Sequence, residues 1–436
     1  MTWRNVLVDR KLAPPQAQQH TPKDSELTEV RLPCRVGMLV HGFYPTDVRV
    51  RRTAEALAAA GVDVHVICLR EPAGIDGVRP PKQEQIRGVN IHRVGLSKQR
   101  GGTLRYLFEY TAITAIGMVK LIQLHLTDRF DVVHVHNMPD MLVFAGLIPK
   151  WTGATLVLDI HDPMSELFQT NHEITASHLV FRAIRFQEWA SYKCAHHLVT
   201  VSQPMAENIA KKIDRDSSGI TVIQNCPDHT NFPISDGMIR WPRHKDTFIV
   251  LYAGTITECY RLDIAVRAIA IASKEIPLIR FHILAEDNRL LRQIFSLAKE
   301  LGISEHVEHL GFVKHEAVKD VIARADVGIS THQGGPFGDL YFSNKIVEFL
   351  TQDLPVVVSK TKTVATYLPE DSVFFFQPGD PDHCARQLAK VWNEPGLVVQ
   401  KLKKARQVAL RLNWDSEREN LIKFYKKLLD GAAAGS

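Results

Sequence analysis

No cysteine in this chain belongs to a Cys-x-x-Cys pair; the six, at positions 34, 68, 194, 226, 259 and 384, are scattered singly. That distribution excludes a disulfide framework and a four-ligand structural zinc site, and the thiols read as ordinary buried or surface groups. Nor is there a run of roughly 18 uninterrupted apolar residues, which a membrane-crossing helix requires. The opening MTWRNVLVDRKLAPPQAQQH lacks the apolar core of a secretory signal, so a cytoplasmic location is expected. Excess charge is scarce as well. The net charge is only +5, and no long basic run or RNA- or DNA-binding motif is present, so nucleic acid is not an expected partner.

The chain has 436 residues, more than a single core usually serves, and two domains of about 200 residues each are the natural division. Residues 1–33 are rich in Pro, Gln and charge without periodicity and read as a flexible tail. RVGMLVH then reads as a strand buried on both faces. DVRVRRTAEALAAAG follows as a helix, with Asp47 its cap and Gly61 its stop, and DVHVICL is again a strand. The alternation continues through a long helix from Thr103 to Leu126, the strand DVVHVH, a helix after Pro139, and the strand TLVLDIH. HHLVTVS and ITVIQN are short strands, with helical EWASYKCA and PMAENIAKK around them. Such alternation implies a parallel, doubly wound sheet whose ligands sit beyond the carboxyl ends of the strands.

Residues 227–246, with three prolines and no sustained period, read as a linker. A second round of strands follows in TFIVLYAG, RFHILAE, HVEHLGF, DVGIST and LPVVVS. The expected domains are therefore 34–235 and 236–412. A last helix over 415–430 has no strand after it and is expected to cross back to the first domain.

Taken in order, several of these segments carry a resemblance. DVRVRRTAEALAAAGVDVHV, FDVVHVHNMPD, LVLDIHDPMSE, HHLVTVSQPM, LYAGTITECYRLDIAVRAI and FGDLYFSNKIVEFLTQDLPVVVS are similar, in wording and spacing, to a GT-B glycosyltransferase of family 4. These are retaining enzymes that use nucleotide sugars. The resemblance runs from about residue 35 to 428. It implies an α/β protein of two Rossmann-like parallel-sheet domains facing a central cleft, with the acceptor on the first domain and the nucleotide sugar on the second.

The residues themselves add to this. In THQGGPFGDLYF, Gly334, Gly335 and Gly338 feed a helix that Ser343 can cap, so Ser343, Asn344 and Lys345 offer a helix amino end to a pyrophosphate. Glu348, further along, is an acceptor-only group able to hold both ribose hydroxyls, and the resemblance implies that role. An exposed Lys345–Glu348 ion pair, worth about 0.2–0.5 kcal/mol, is the plainer alternative. His161 ends the run TLVLDI at the carboxyl end of a strand. The resemblance implies a catalytic position beside donor sugar and acceptor; a packing histidine is the alternative. His134, His136 and Asn137 end a neighbouring strand and read as the acceptor side. They are not read as a metal site, since a third ligand is not evident, and no metal cofactor is expected.

The chain departs from the family pattern in three places, one of them LAEDN, which sets Glu286 and Asp287 near the anion site where a glycine-rich turn is usual. The turn after FIVLYAG begins with Gly254 and Thr255 but carries Glu258 and Cys259 where a base is usual, leaving Arg261 as the phosphate clamp. Leu340 stands where a sugar-contacting carboxylate is usual, with Asp339 one residue earlier. These readings lead to a retaining glycosyltransferase with a glycan or lipid-linked acceptor. A non-catalytic nucleotide-binding scaffold stays open, as does a GT-B epimerase or phosphorylase. Finally, His92, Arg93, Lys98, Arg100 and Arg105 lie beside the apolar helix YLFEYTAITAIGMVKLIQLHL, a combination suited to peripheral contact with an anionic inner-membrane face.

Overall fold

The computed structural model describes residues 32–434 apart from 74–77, 97–102, 173–177, 230–231, 236–237, 240, 242–245 and 315–316. Two sheets carry the chain. The first contains β1 (Arg35–Phe43), β2 (Asp63–Leu69), β3 (Gln83–Ile86), β4 (Val89–Val94), β5 (Val132–His136), β6 (Thr155–Ile160), β7 (His197–Thr200) and β8 (Ile220–Val222). Their order is β3-β4-β2-β1-β5-β6-β7-β8. The second contains β9 (Phe248–Ala253), β10 (Ile279–Leu284), β11 (Val307–Gly311), β12 (Val327–Ser330), β13 (Val356–Ser359) and β14 (Phe374–Phe376), in the order β11-β10-β9-β12-β13-β14.

Every neighbouring pair is parallel except β3 and β4. This hairpin is missing from the sequence reading for a local reason. Its turn is Arg87-Gly88, both at positive φ, and an arginine in the first of two left-handed positions hides the usual Asn-Gly signal. The central strands carry unbroken apolar runs because helices cover both faces; β5 is buried at every position.

The helices of the first half are α1 (Val48–Ala59), α2 (Thr103–Thr127), α3 (Leu147–Trp151), α4 (Met164–His172), α5 (Leu179–Cys194) and α6 (Gln203–Ile213). Asp47 caps α1 by accepting the Val50 N–H at 3.2 Å, and Val50, Ala54 and Leu57 turn its apolar side to the core. After Pro139 a 3-10 helix over 140–146 precedes α3. α2 approaches β1 so closely that a Cβ on Gly117 would lie 2.9 Å from the Leu39 side chain. Ile113 and Leu121 of α2 are core residues, while Phe108, Val119 and Leu126 are exposed.

The second half adds α7 (Leu262–Ala272), α8 (Arg289–Glu300), α9 (Val318–Ile322), α10 (Asn344–Thr351), α11 (Lys362–Tyr367), α12 (Pro381–Asn393) and α13 (Pro395–Arg411). α14 (Trp414–Ala434) closes the chain. Its Leu421, Phe424, Tyr425 and Leu428 enter the core built by β1, β2 and α1 of the first domain, so this helix returns across the molecule.

Two expectations change here. Of the tail assigned to 1–33, only Leu32 and Pro33 are described. Leu32 is already buried, and its N–H donates to the Ala60 carbonyl at 3.0 Å. Of the expected basic run, Arg105 is exposed, but His92 and Arg93 are not. Both residues are buried in β4, where Arg93 donates to the carbonyls of Tyr44 and Pro81 and pairs with Glu84. Lys98 and Arg100 lie outside the described residues. No described helix is long and apolar enough to cross a membrane.

Candidate functional site

The site begins with a glycine and a lysine from different elements. Gly254 follows β9 at φ 120°, and a Cβ built there would lie 2.1 Å from Cε and 2.3 Å from Nζ of Lys345. Only a residue without a side chain leaves that seat open. Lys345, in the first turn of α10, places its ammonium 5.1 Å from the Tyr252 ring centre and 4.9 Å from that of Tyr260. Tyr260 shares a 3.0 Å hydroxyl hydrogen bond with Tyr341, and His332 packs edge-on to Tyr260 at 5.0 Å. A buried ammonium is thus held by aromatic faces.

Burial pushes the Lys345 ammonium down to about 8, against the support of Glu348. Burial likewise pushes the Glu348 carboxyl up to about 7, with Lys345 and Arg52 pulling it back. The exposed ion pair offered as the plainer reading of these two residues is therefore corrected: both are recessed, and each is strained by desolvation. Arg52 belongs to α1 of the first domain, where it donates to the Cys226 carbonyl at 2.6 Å, and its charge reaches Glu348 across the cleft. The Oδ1 of Asn344 is buried and has no hydrogen-bond partner among the described residues, an acceptor left open beside Lys345. Ser343 stands at the N-cap of α10 but makes no side-chain capping bond, which corrects the expected cap.

Arg261 is placed differently from the expected clamp. Its guanidinium makes a two-pronged pair with Asp263, Nε to Oδ1 at 2.8 Å and the second prong at 2.9 Å. It lines a cavity of about 830 Å³ together with Glu258, Gln333 and Gly334 of its own domain and Gln169 and Thr170 of α4. Thr255 is exposed, and its carbonyl accepts from Tyr252 Oη at 2.6 Å. Asp339 is spent on its own loop and on the start of α11, one oxygen accepting from Gly335 N–H and the other from Lys362 N–H, each at 3.1 Å. Leu340 packs into the first domain's core. Gly338 is needed because a Cβ would meet the Gln333 carbonyl oxygen at 1.6 Å.

On the first domain, β5 and β6 end side by side, with His136 paired in register with Asp159. His161 Nε2 lies 3.1 Å from Asp159 Oδ2 and 3.2 Å from His136 Nδ1. The backbone N–H of His161 donates to Asn137 Oδ1 at 2.7 Å. Asn137 Nδ2 donates to Asp140 at 2.8 Å and to the Asp162 carbonyl at 2.7 Å, so this amide clamps the whole turn. His136 and Asn137 are both buried. Each is hydrogen-bonded to His161, the first through its ring and the second through its amide oxygen.

Asp159 also meets Arg49 NH2 at 2.7 Å. Burial alone would raise its pKa; Arg49 and then His161 hold it well below the usual carboxylate range. His134, His136 and Asp159 have ligand atoms within 4.8 Å of one another, so the third donor not evident in the sequence is Asp159. The guanidinium of Arg49 already supplies the positive charge there.

The two halves face each other. Asp162, next to His161, lies close enough to raise the pKa of both Tyr260 and Tyr341, after the larger effect of their burial. His161 and Lys345 thus approach one cleft from opposite domains. The aromatic seat of Tyr252, Tyr260, His332 and Tyr341 is what sequence reasoning missed. Its only trace there is three tyrosines, in LYAG, ECYR and DLYF, each at a strand end or turn.

Residues 46–226 match the glycosyl transferase 4-like domain family, and residues 238–409 match the glycosyl transferases group 1 family. An uncharacterized glycosyltransferase of Methanocaldococcus jannaschii is 23% identical over 394 residues, covering 87% of this chain and 93% of that protein. The phosphatidylinositol N-acetylglucosaminyltransferase gpi3 subunit of Schizosaccharomyces pombe is 22% identical over 187 residues, 43% of this chain and 39% of that one. Among solved structures, sucrose-phosphate synthase from Thermosynechococcus elongatus superposes with a TM-score of 0.71 at 16% identity, covering 91% of this chain and all (100%) of that one. Anabaena HepE in complex with UDP-glucose does so with a TM-score of 0.65 at 13% identity, covering 90% and 100%.

Proposed function

The chain is a glycosyltransferase of the GT-B type, and from that premise we propose that it moves a sugar from a nucleoside diphosphate sugar to an acceptor hydroxyl with retention of anomeric configuration. The observation that carries this reading is the Lys345 ammonium, seated over Gly254 by two tyrosines and facing the His161 turn across the cleft. Lys345, with the amino end of α10, holds the pyrophosphate, a point charge on a compact anion. Glu348, one turn on, accepts from the ribose hydroxyls. His161, braced by Asp159 and Asn137, orients the reacting sugar.

In the step itself, the bond from the anomeric carbon to the leaving phosphate oxygen breaks and the acceptor oxygen bonds on the same face. The acceptor proton passes to the leaving phosphate. Lys345 offsets the charge that collects there. The protein's own groups suffice for this reading, without a divalent metal. The gpi3 relative is named for a phosphatidylinositol substrate, which favours a lipid-linked acceptor over a soluble one.

A thermal-shift panel of nucleoside diphosphates tests the reading, starting with UDP because Anabaena HepE binds UDP-glucose. One nucleotide should stabilise the protein, and its sugar donor should slowly release that nucleotide even without acceptor and in the presence of chelator. Binding without release, across donors and cell-extract acceptors, would favour a scaffold that kept the fold. Activity abolished by chelator and restored only by manganese or magnesium would overturn the metal-free site.

The affinity of the free protein for that nucleotide should also follow a bell against pH. Below about 7 Glu348 gains a proton and stops being an acceptor-only group, and above about 8 Lys345 loses its charge. The best binding is expected between those values, and titration calorimetry across both limbs checks it. A flat profile would separate these two residues from the nucleotide.

A further inference from the structure

Helix α5 buries a charged group while leaving large apolar ones outside. Its buried side carries Glu188 and Ser191 beside Phe181 and Tyr192. The Glu188 carboxylate meets Lys212 Nζ at 2.8 Å, Ser165 Oγ at 2.8 Å and Tyr192 Oη at 3.0 Å. Its outer side carries large apolar groups instead: Leu179 is 77% exposed, Phe186 67% and Trp189 43%. Positions 179, 182, 186, 189 and 193 recur at helical spacing, so Leu179, Arg182, Phe186, Trp189 and Lys193 share one face. The Phe186 and Trp189 rings stack 5.8 Å apart, and a recess of about 300 Å³ opens beside them, lined in part by Arg182, Arg185 and Lys212. Neither arginine makes an ion pair among the described residues. The polar interior is fully used, so the apolar exterior is not explained by folding.

We propose that this face of α5 is the surface by which the protein seats on an anionic lipid membrane. An aromatic and aliphatic stripe interleaved with cations matches both zones of a lipid interface: Leu179, Phe186 and Trp189 enter the acyl boundary while Arg182, Arg185 and Lys193 meet the phosphates. A protein partner burying the same stripe would have to desolvate those cations as well. The placement also fits the site. α4 packs against α5 and also supplies Gln169 and Thr170 to the cleft cavity, so the proposed surface lies one helix away from the cleft. α2 and α5 pack on the same 3-10 helix, which puts the exposed Phe108 in the same layer. This surface deepens the lipid-linked acceptor reading and rests on it for its purpose, but binding to lipid needs no turnover.

Flotation of the full chain with vesicles decides it. The protein should float with phosphatidylglycerol-containing vesicles and not with pure phosphatidylcholine, and rising salt should release it. Arg182→Ala with Arg185→Ala should lower the partition about 25-fold, taking about fivefold per basic residue at the surface. Leu179→Gln, Phe186→Gln and Trp189→Gln together should abolish flotation at any salt. In both variants the nucleotide thermal shift should stay as in the parent, since the changed side chains are exposed. Flotation that survives both sets of changes, or that ignores lipid charge, would overturn the proposal. So would a parent dimer that the apolar variant converts to monomer, because a second copy would then cover the face. Normal flotation without any nucleotide shift would instead defeat the transferase reading alone.

Discussion

Gly254→Ala is expected to weaken nucleoside diphosphate binding by about a hundredfold while leaving the two sheets folded. The new methyl would occupy the place of Lys345 Cε and Nζ, so the ammonium must leave the faces of Tyr252 and Tyr260. One charge-assisted interaction is worth about 1.5–3 kcal/mol, and a displaced cation also loses its aromatic seat, about 0.5–2 kcal/mol. The φ of 120° adds backbone strain of about 1–3 kcal/mol for alanine. Lys345→Met separates the two effects, since it should match the loss in affinity without the loss in stability. Glu348→Gln should weaken binding to a similar degree. The seat makes the two residues comparable. Calorimetric titration of all three variants checks this, and wild-type affinity in Lys345→Met would remove the lysine from the site.

The second large effect belongs to Asp159. Asp159→Asn should lower stability by about 3–5 kcal/mol, because it leaves the buried Arg49 guanidinium without its counter-charge. It should also lose turnover, since His161 loses its brace. His161→Ala should lose turnover as well, yet keep both stability and nucleotide affinity. Denaturant unfolding read beside single-turnover sugar release distinguishes the two. If His161→Ala unfolds as easily as Asp159→Asn, the histidine is a packing group and the catalytic reading fails.

Much of this architecture was open to reading because its signals are periodic. Unbroken apolar runs such as DVHVICL and Asp47 before an amphipathic helix each depend on neighbours in sequence. The site was legible only where it shares that locality. Lys345 and Glu348 sit one turn apart on α10, and so emerged together. The Gly254–Lys345 seat did not, because it joins the end of β9 to the start of α10. Arg261 was read as a clamp from its place on the turn alone; its pairing with Asp263 is a matter of side-chain geometry that the sequence does not print. Asp159 went unseen as a hub because its register partner His136 is on another strand. α5 was legible as a helix but not in its facing. EWASYKCA read as helical, but that Glu188 faces in and Trp189 faces out depends on Lys212 of α6.

The return of α14 sets an order on how the protein is made. β1 and β2 emerge early from the ribosome, yet the groove they share with α1 is filled by Leu421, Phe424, Tyr425 and Leu428. His134 likewise meets Tyr425 Oη at 2.7 Å across 291 residues of chain. During translation the first domain therefore exists with an open apolar flank until the second has been synthesised, a state that favours chaperone capture over independent folding. Residues 34–235 expressed alone would inherit that unfinished flank permanently, whereas supplying the 414–434 segment as a separate peptide offers a way to complete it.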